Sequence, residues 1–285
     1  GMSSLSSTIC TISVAISIIV ILVAIAISNG FKKEVSSRAM GFSGEILLTA
    51  PGVSYLNDEY PIDANLSYRD EILALDQVSQ MHDVIYKPGM LKSSDNVHGV
   101  LFKGVDSLYS FEFFKDHIVE GRLPDFSGSR MSNEILISQR VARTFGYSVG
   151  DKMTFYFISG EVRLRQFEIA GIYNIQLENI DRQLILSDIR QVRRLNGWKG
   201  RECSAIEIHL EKNSGIRSYS DRILIDNKIA QILMNRDMLE DTPVVVTLVD
   251  NIYPVIFDWL DLLDLNVLVV LILMIAVAGF NMISG

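Results

Sequence analysis

The chain has 285 residues, 48% of them hydrophobic, with a positive mean hydropathy and a formal net charge of −8. Every charged residue falls between Lys32 and Asp264, and no basic stripe occurs among them, so no nucleic acid is expected as a partner. Two cysteines, Cys10 in an apolar run and Cys203 far from it, leave no disulfide framework.

Residues 1–8 form an N-terminal flank without Lys or Arg. From Ile9 to Ile27 the run ICTISVAISIIVILVAIAI is uncharged. About 20 such residues, at 1.5 Å rise each, cover a hydrocarbon core of roughly 30 Å, so residues 9–27 read as a first transmembrane helix. A cleaved leader calls for a basic start, a shorter apolar stretch and a small-residue cleavage site, and this run has none of them. Residues 28–41 continue as a stalk helix. Phe31 and Val35 extend the i, i+4 line of Ile27, the charged and Ser residues from Lys32 to Arg38 cover the other face, and Gly41 is the expected C-cap.

Residues 42–250 read as an α+β core of two subdomains. Glu45–Thr49 is the first expected strand, before a Pro51-Gly52 turn. Ser67 and Asp70 resemble a capping box opening a helix through Leu75. Strands are expected at Gln80–Tyr86 and Val97–Val105. Ser138 caps a short helix, QRVARTF, that Gly146 ends. Met153–Ile158 and Val162–Tyr173 form a hairpin turned at Ser159-Gly160. Further strands are expected at Gln183–Leu186, Ala205–Leu210 and Val244–Val249, with helices near Ser187–Leu195 and over Tyr219–Met234.

A second stalk helix occupies 251–265. Pro254 suits a first helical turn, and Ile256, Phe257, Leu260 and Leu263 make one stripe while Asp258, Asp261 and Asp264 recur every third position. From 266 to 285 the chain is apolar all round and reads as a second, shortened transmembrane helix. Two antiparallel stalks should therefore stand side by side with Lys32 level with Asp261. Lys32 and Lys33 facing Asp258, Asp261 and Asp264 would set their register. Inside the bilayer, the small residues Ser13, Ser17, Ala24, Ala276 and Gly279 mark helix–helix contacts.

No chemistry is written into these residues. His82, His98, His117 and His209 have no metal-ligand spacing, and there is no GxxxxGK[ST] loop and no GxSxG. No catalytic, metal or cofactor-binding residue is assigned, and no cofactor is expected. The basic residues after the first helix, read alone, place the core in the cytoplasm; long domains, however, cross membranes regardless of charge. Helices continuous through the membrane boundary suit the transmission of movement between membrane and core.

The residues SNGFKKEV (Ser28–Val35), FKGVD (Phe102–Asp106), EGRLP (Glu120–Pro124), EILISQRVARTFGYSVGDKMTF (Glu134–Phe155) and FEIAGIY (Phe167–Tyr173) follow one another in a familiar order. With Tyr253–Gly285, which is similar to versions from Bacteroidetes-like bacteria, they resemble the FtsX-like ABC permeases that carry a MacB-like periplasmic core, and among these the lipoprotein-releasing permeases. The resemblance implies an inner-membrane, multi-pass protein whose core is periplasmic, with two more spanning helices after Gly285. It implies a separate ABC ATPase subunit that hydrolyses ATP, a second permease copy and an acylated lipoprotein as cargo. It also implies a periplasmic carrier, which meets a long hairpin before the FEIAGIY strand; here that connection is only Ser159–Arg163. Two other readings stand beside it: an exporter or mechanotransmitter of the same fold for peptides or drugs, and a two-helix membrane sensor.

Overall fold

The computed structural model describes residues 2–52, 59–92, 97–159, 161–211, 219–234 and 242–284. They form two compact units, one of residues 1–38 with 253–285 and one of residues 39–252.

In chain order, helix α1 (Met2–Ser43) leads into strand β1 (Ile46–Thr49), β2 (Ile62–Asp63), α2 (Arg69–Leu73), β3 (Val78–Lys92) and β4 (Val97–Val105). Next come α3 (Glu112–Asp116), β5 (Ile118–Gly121), β6 (Glu134–Ser138), α4 (Gln139–Phe145), β7 (Lys152–Ser159) and β8 (Glu161–Tyr173). Then follow α5 (Glu178–Asp181), β9 (Leu184–Asp188), α6 (Ile189–Asn196), β10 (Glu202–Cys203), β11 (Ala205–Leu210) and α7 (Tyr219–Met234). The chain closes with β12 (Val245–Leu248), α8 (Val249–Ile252) and α9 (Pro254–Ser284).

The unit of residues 39–252 is built on one sheet in the order β12-β1-β11-β3-β4-β9-β6-β8-β5, with β7 pairing to β3 and β8, while β2 and β10 pair apart from it. Most pairs are antiparallel; β4 with β9 and β6 with β8 are parallel. Strand alternation gives this sheet two different faces. Ile46, Leu48, Ile85, Phe102, Ile137, Ile185, Ile206 and Ile208 belong to the main apolar cluster, joined by Ile72 of α2, Val141 of α4, Val192 of α6 and Ile225 of α7. The opposite face carries Tyr86, Lys103 and Glu207; Tyr86 and Lys103 both bond Glu207, and Lys103 also bonds the Phe42 carbonyl and Tyr109.

The short helices follow their caps. Ser138 Oγ accepts the Val141 N–H at 3.0 Å and Gly146 closes α4 at φ 71°. Asp188 accepts the Arg190 N–H and Gly197 at φ 73° closes α6. Three expectations need correction. Gly41 is not a cap: α1 runs on to Ser43, and Gly44, at φ +74°, makes the turn with its N–H on the Met40 carbonyl at 2.8 Å. Ser67 opens no helix: α2 begins at Arg69 behind Tyr68, which makes no side-chain cap bond, because Arg69 N–H closes a turn on Leu66. The second stalk helix opens at Pro254, in the first turn as expected, and not at residue 251, because Val249–Ile252 form the separate helix α8 and Pro254 has no N–H with which to continue it. Strands β5, β6, β2 and β10 were not anticipated, and the Gly160 turn of the β7–β8 hairpin lies outside the described residues.

In the other unit, α1 and α9 each contain a stretch long and apolar enough to cross a membrane, within Val14–Ser43 and Pro254–Val277. Ile16, Leu22, Ile27, Leu268, Ile272 and Ile275 are all more than half exposed, a surface that water would penalise and lipid would cover.

Candidate functional site

Taken first in the helical unit, the stalk residues lie as follows. Lys32 hydrogen-bonds Asp264 and stands 3.8 Å from Asp261. Phe31, next to Lys32, meets the ring of Trp259, two residues before Asp261, edge-on at 5.6 Å. Lys33 and Asp258 are exposed and make no ion pair among the described residues. Ser17, Ala24 and Gly279 are half-buried and Ala276 is exposed, while the Ser13 side chain lies outside the described residues. The Lys32 pairs are exposed on the acidic side, so they contribute at most about 1 kcal/mol each and orient more than they stabilise.

In the core unit, the structure shows a joint that the sequence did not reveal. The last turn of α1, from Ala39 to Ser43, belongs to this unit. Ala39 and Phe42 are buried. Gly41 is there because the ring of Phe113 leaves no room for a side chain: a Cβ would lie 2.2 Å from Phe113 Cδ2. The final carbonyls of a helix have no partner within it. Here Lys103 of β4 supplies one, its Nζ donating to the Phe42 carbonyl, a cation at the negative end of the helix dipole. The same ammonium donates to Tyr109 Oη at 2.9 Å and to Glu207 of β11 at 2.8 Å. Tyr86 Oη completes the set on Glu207 at 2.8 Å. Both charged side chains are fully buried. Burial pushes Lys103 down and Glu207 up, and each opposes the other's shift by direct attraction and hydrogen bonding. Burial, then the Glu207 charge, drives Tyr109 far above its usual range.

The chain enters and leaves the core at adjacent places. Strand β1, directly after α1, pairs antiparallel with β12, directly before α8, in the register Ile46↔Leu248. The Val249 N–H bonds the Glu45 carbonyl at 3.0 Å. β11 lies on the other side of β1, with Leu47 opposite Glu207. Thus the strands attached to the two terminal helices are neighbours, and the buried Lys103–Glu207 pair lies one and three strands from β1 in the same sheet.

The runs that carry the resemblance have structural employment here. In FKGVD, Phe102 enters the main core, Lys103 takes the helix end, and Asp106 accepts the Leu108 N–H at 3.0 Å in the turn that follows. In EGRLP and FEIAGIY, Gly121 and Gly171 are paired across β5 and β8, and Arg122 N–H bonds the Ala170 carbonyl at 3.0 Å. Arg122 also bonds Glu134, tying EGRLP to the EILIS strand.

The histidines are less scattered than their positions suggest. His82 and His209 have ring centroids 5.5 Å apart, and His209 lies 4.0 Å from carboxylate oxygens of both Glu45 and Glu207. Burial, with the Lys103 and Arg69 cations, lowers His82 to about 4. No cluster of three metal-ligating side chains occurs among the described residues. A second buried charge, Asp83, is held by Arg69 at 2.7 Å and by Arg201. Alternation in AIEIHL assigns Glu207 to an exposed face, whereas Lys103 has Leu101 and Val105, and Asp83 has Met81 and Ile85, two positions away on either side. Those apolar neighbours hint at the burial of Lys103 and Asp83.

The description of the family model that matches residues 7–224 is the MacB-like periplasmic core domain. None of the curated proteins matches the chain. Among solved structures, the periplasmic region of MacB from Actinobacillus actinomycetemcomitans is similar at 11% identity and TM-score 0.47, covering 77% of this chain and 95% of that one. The extracellular domain of the noncanonic ABC-type transporter YknZ from Gram-positive bacteria is similar at 14% identity and TM-score 0.44, over 71% and 98% of the two chains. A domain of a putative permease protein from Porphyromonas gingivalis matches at 14% identity and TM-score 0.36, over 72% and 88%.

Proposed function

Because the chain belongs to the MacB-like periplasmic core domain family, and so to ABC permeases or mechanotransmitters with an ABC ATPase partner and a dimeric assembly, we propose that it releases acylated lipoproteins from the inner membrane. The ATP is hydrolysed in the partner subunit, and this chain contributes movement and no catalysis. The observation that carries the reading is the joint: two apolar helices enter the core through the paired strands β1 and β12, so one displacement reaches one edge of a single sheet.

The energetics suit such a task. Each buried CH₂ resists extraction by about 0.8 kcal/mol, so one long acyl chain resists by roughly 10 kcal/mol. Removal into water is prohibitive, whereas removal along an apolar helix face is not. The faces of Ile9–Ile27 and Val267–Ile283 are the candidates for that path. A periplasmic carrier would then receive the cargo.

One observation favours the second reading, an exporter or mechanotransmitter of the same fold. Strand β7 ends at Ser159 and β8 starts at Glu161, with those two residues paired, so the hairpin lacks a long extension. Depletion of the protein followed by membrane fractionation decides between them. Lipoproteins should accumulate in the inner membrane; unchanged sorting overturns lipoprotein release and leaves the second reading.

A further inference from the structure

Helix α1 passes into the sheet through Gly44, whose φ of +74° turns the chain between the helix and β1, close against the Ile208 backbone of β11. A helix joined to a sheet by one turn can swing without moving the strands beyond β1. The buried Lys103 supplies a second attachment two strands past β11. Its three N–H donors go to three elements: the end of α1 at Phe42, β11 at Glu207, and the turn after β4 at Tyr109. Stability alone does not call for this arrangement, because well-packed apolar side chains commonly replace a buried ion pair at no loss.

We propose that Lys103 is the positioning residue that hands movement of α1 to the sheet: it holds the Phe42 carbonyl and the Glu207 carboxylate at once, so the helix end cannot turn about Gly44 without carrying β4 and β11. Glu207 is its counter-charge and orients it, itself held by Tyr86. The close fit of Gly41 on Phe113 is the steric side of the same joint. The proposal rests on the mechanical reading above for the use made of the movement, but not on the cargo.

The test is hydrogen exchange, read by mass spectrometry, on the full chain in lipid nanodiscs. Lys103→Met combined with Glu207→Gln removes the tie without stranding a buried charge. Exchange over residues 39–46 should rise about tenfold or more, while 81–86 and 205–210 stay within about threefold of the parent chain. Tyr86→Phe, which takes a hydrogen bond from Glu207 and leaves the Lys103 bond to Phe42 in place, should leave residues 39–46 unchanged. Unaltered exchange at 39–46, or equal acceleration in all three segments, overturns the proposal, the second outcome making the pair an ordinary core contact. Should the double variant not fold, Tyr109→Phe takes one partner from Lys103 and no charge from the core. It should accelerate 39–46 alone by a smaller factor, and no local change there overturns the proposal equally. A negative result in the lipoprotein-sorting experiment leaves these exchange rates, and so this inference, untouched.

Discussion

Gly41→Ala tests the packing of the joint with a change of one methyl group. In an ordinary helix this substitution gains about 1 kcal/mol, because glycine loses more backbone freedom on folding. At Gly41 the new Cβ would stand 2.2, 2.4 and 2.8 Å from three ring atoms of Phe113. That ring is itself held, 4.4 Å from the His117 ring and 5.4 Å from Phe114. Overpacking of this kind costs about 1–3 kcal/mol, and contact this close belongs at the upper end. The net expectation is a loss of about 1–2 kcal/mol, or a Tm lower by about 2–8 °C, in a domain of this size. In a Phe113→Ala background the obstacle is gone and Gly41→Ala should raise Tm instead, a coupling of about 2–3 kcal/mol between the two sites. Near-UV circular dichroism of the detergent-solubilised full chain follows both melts. If Gly41→Ala stabilises the parent chain, or acts alike in both backgrounds, the close fit of α1 against Phe113 is refuted.

Other outcomes follow from the same geometry. Asp264→Asn should lower stability by less than about 1 kcal/mol, since the Lys32 pair is solvent-screened; a loss of several kcal/mol in the same melts would contradict that view. Lys32→Asp with Asp264→Lys should restore any transport defect of either single change, and absence of rescue removes the register role. His82 titrates at about 4 in the fold and near 6.5 when unfolded, so the unfolded chain binds more protons between those values. Stability present at neutral pH is therefore lost as pH falls from about 6.5 through about 4, by up to about 3 kcal/mol, and His82→Gln should flatten that slope in denaturant titrations. Cys203 is fully buried and its thiol is pushed far up by burial, so maleimide should label it only after denaturation.

Much of this architecture was legible in the chain because its signals are local. Uncharged runs of membrane-spanning length, the Ser138 and Gly146 caps, and the strands Val97–Val105 and Ala205–Leu210 depend on neighbours in sequence. The same locality misled at Gly41. A glycine after an amphipathic stretch reads as a cap, yet this one is small because a ring from 72 positions later presses on it. Short strands such as β2 and β10 carry no periodicity of their own and exist through pairing across the fold.

What the amino-acid order determined alone was the division into apolar ends and an acidic, mixed α+β middle, since burial and hydrogen bonding along a segment depend on that segment. The joint was decided by tertiary structure. Lys103 and Glu207 stand 104 positions apart; only the pairing of β11 with β3 and of β3 with β4 puts them on one face, where Lys103 also bonds the last turn of α1 and Tyr109. Side-chain alternation says which residues share a face, but what covers that face is set by distant parts of the chain.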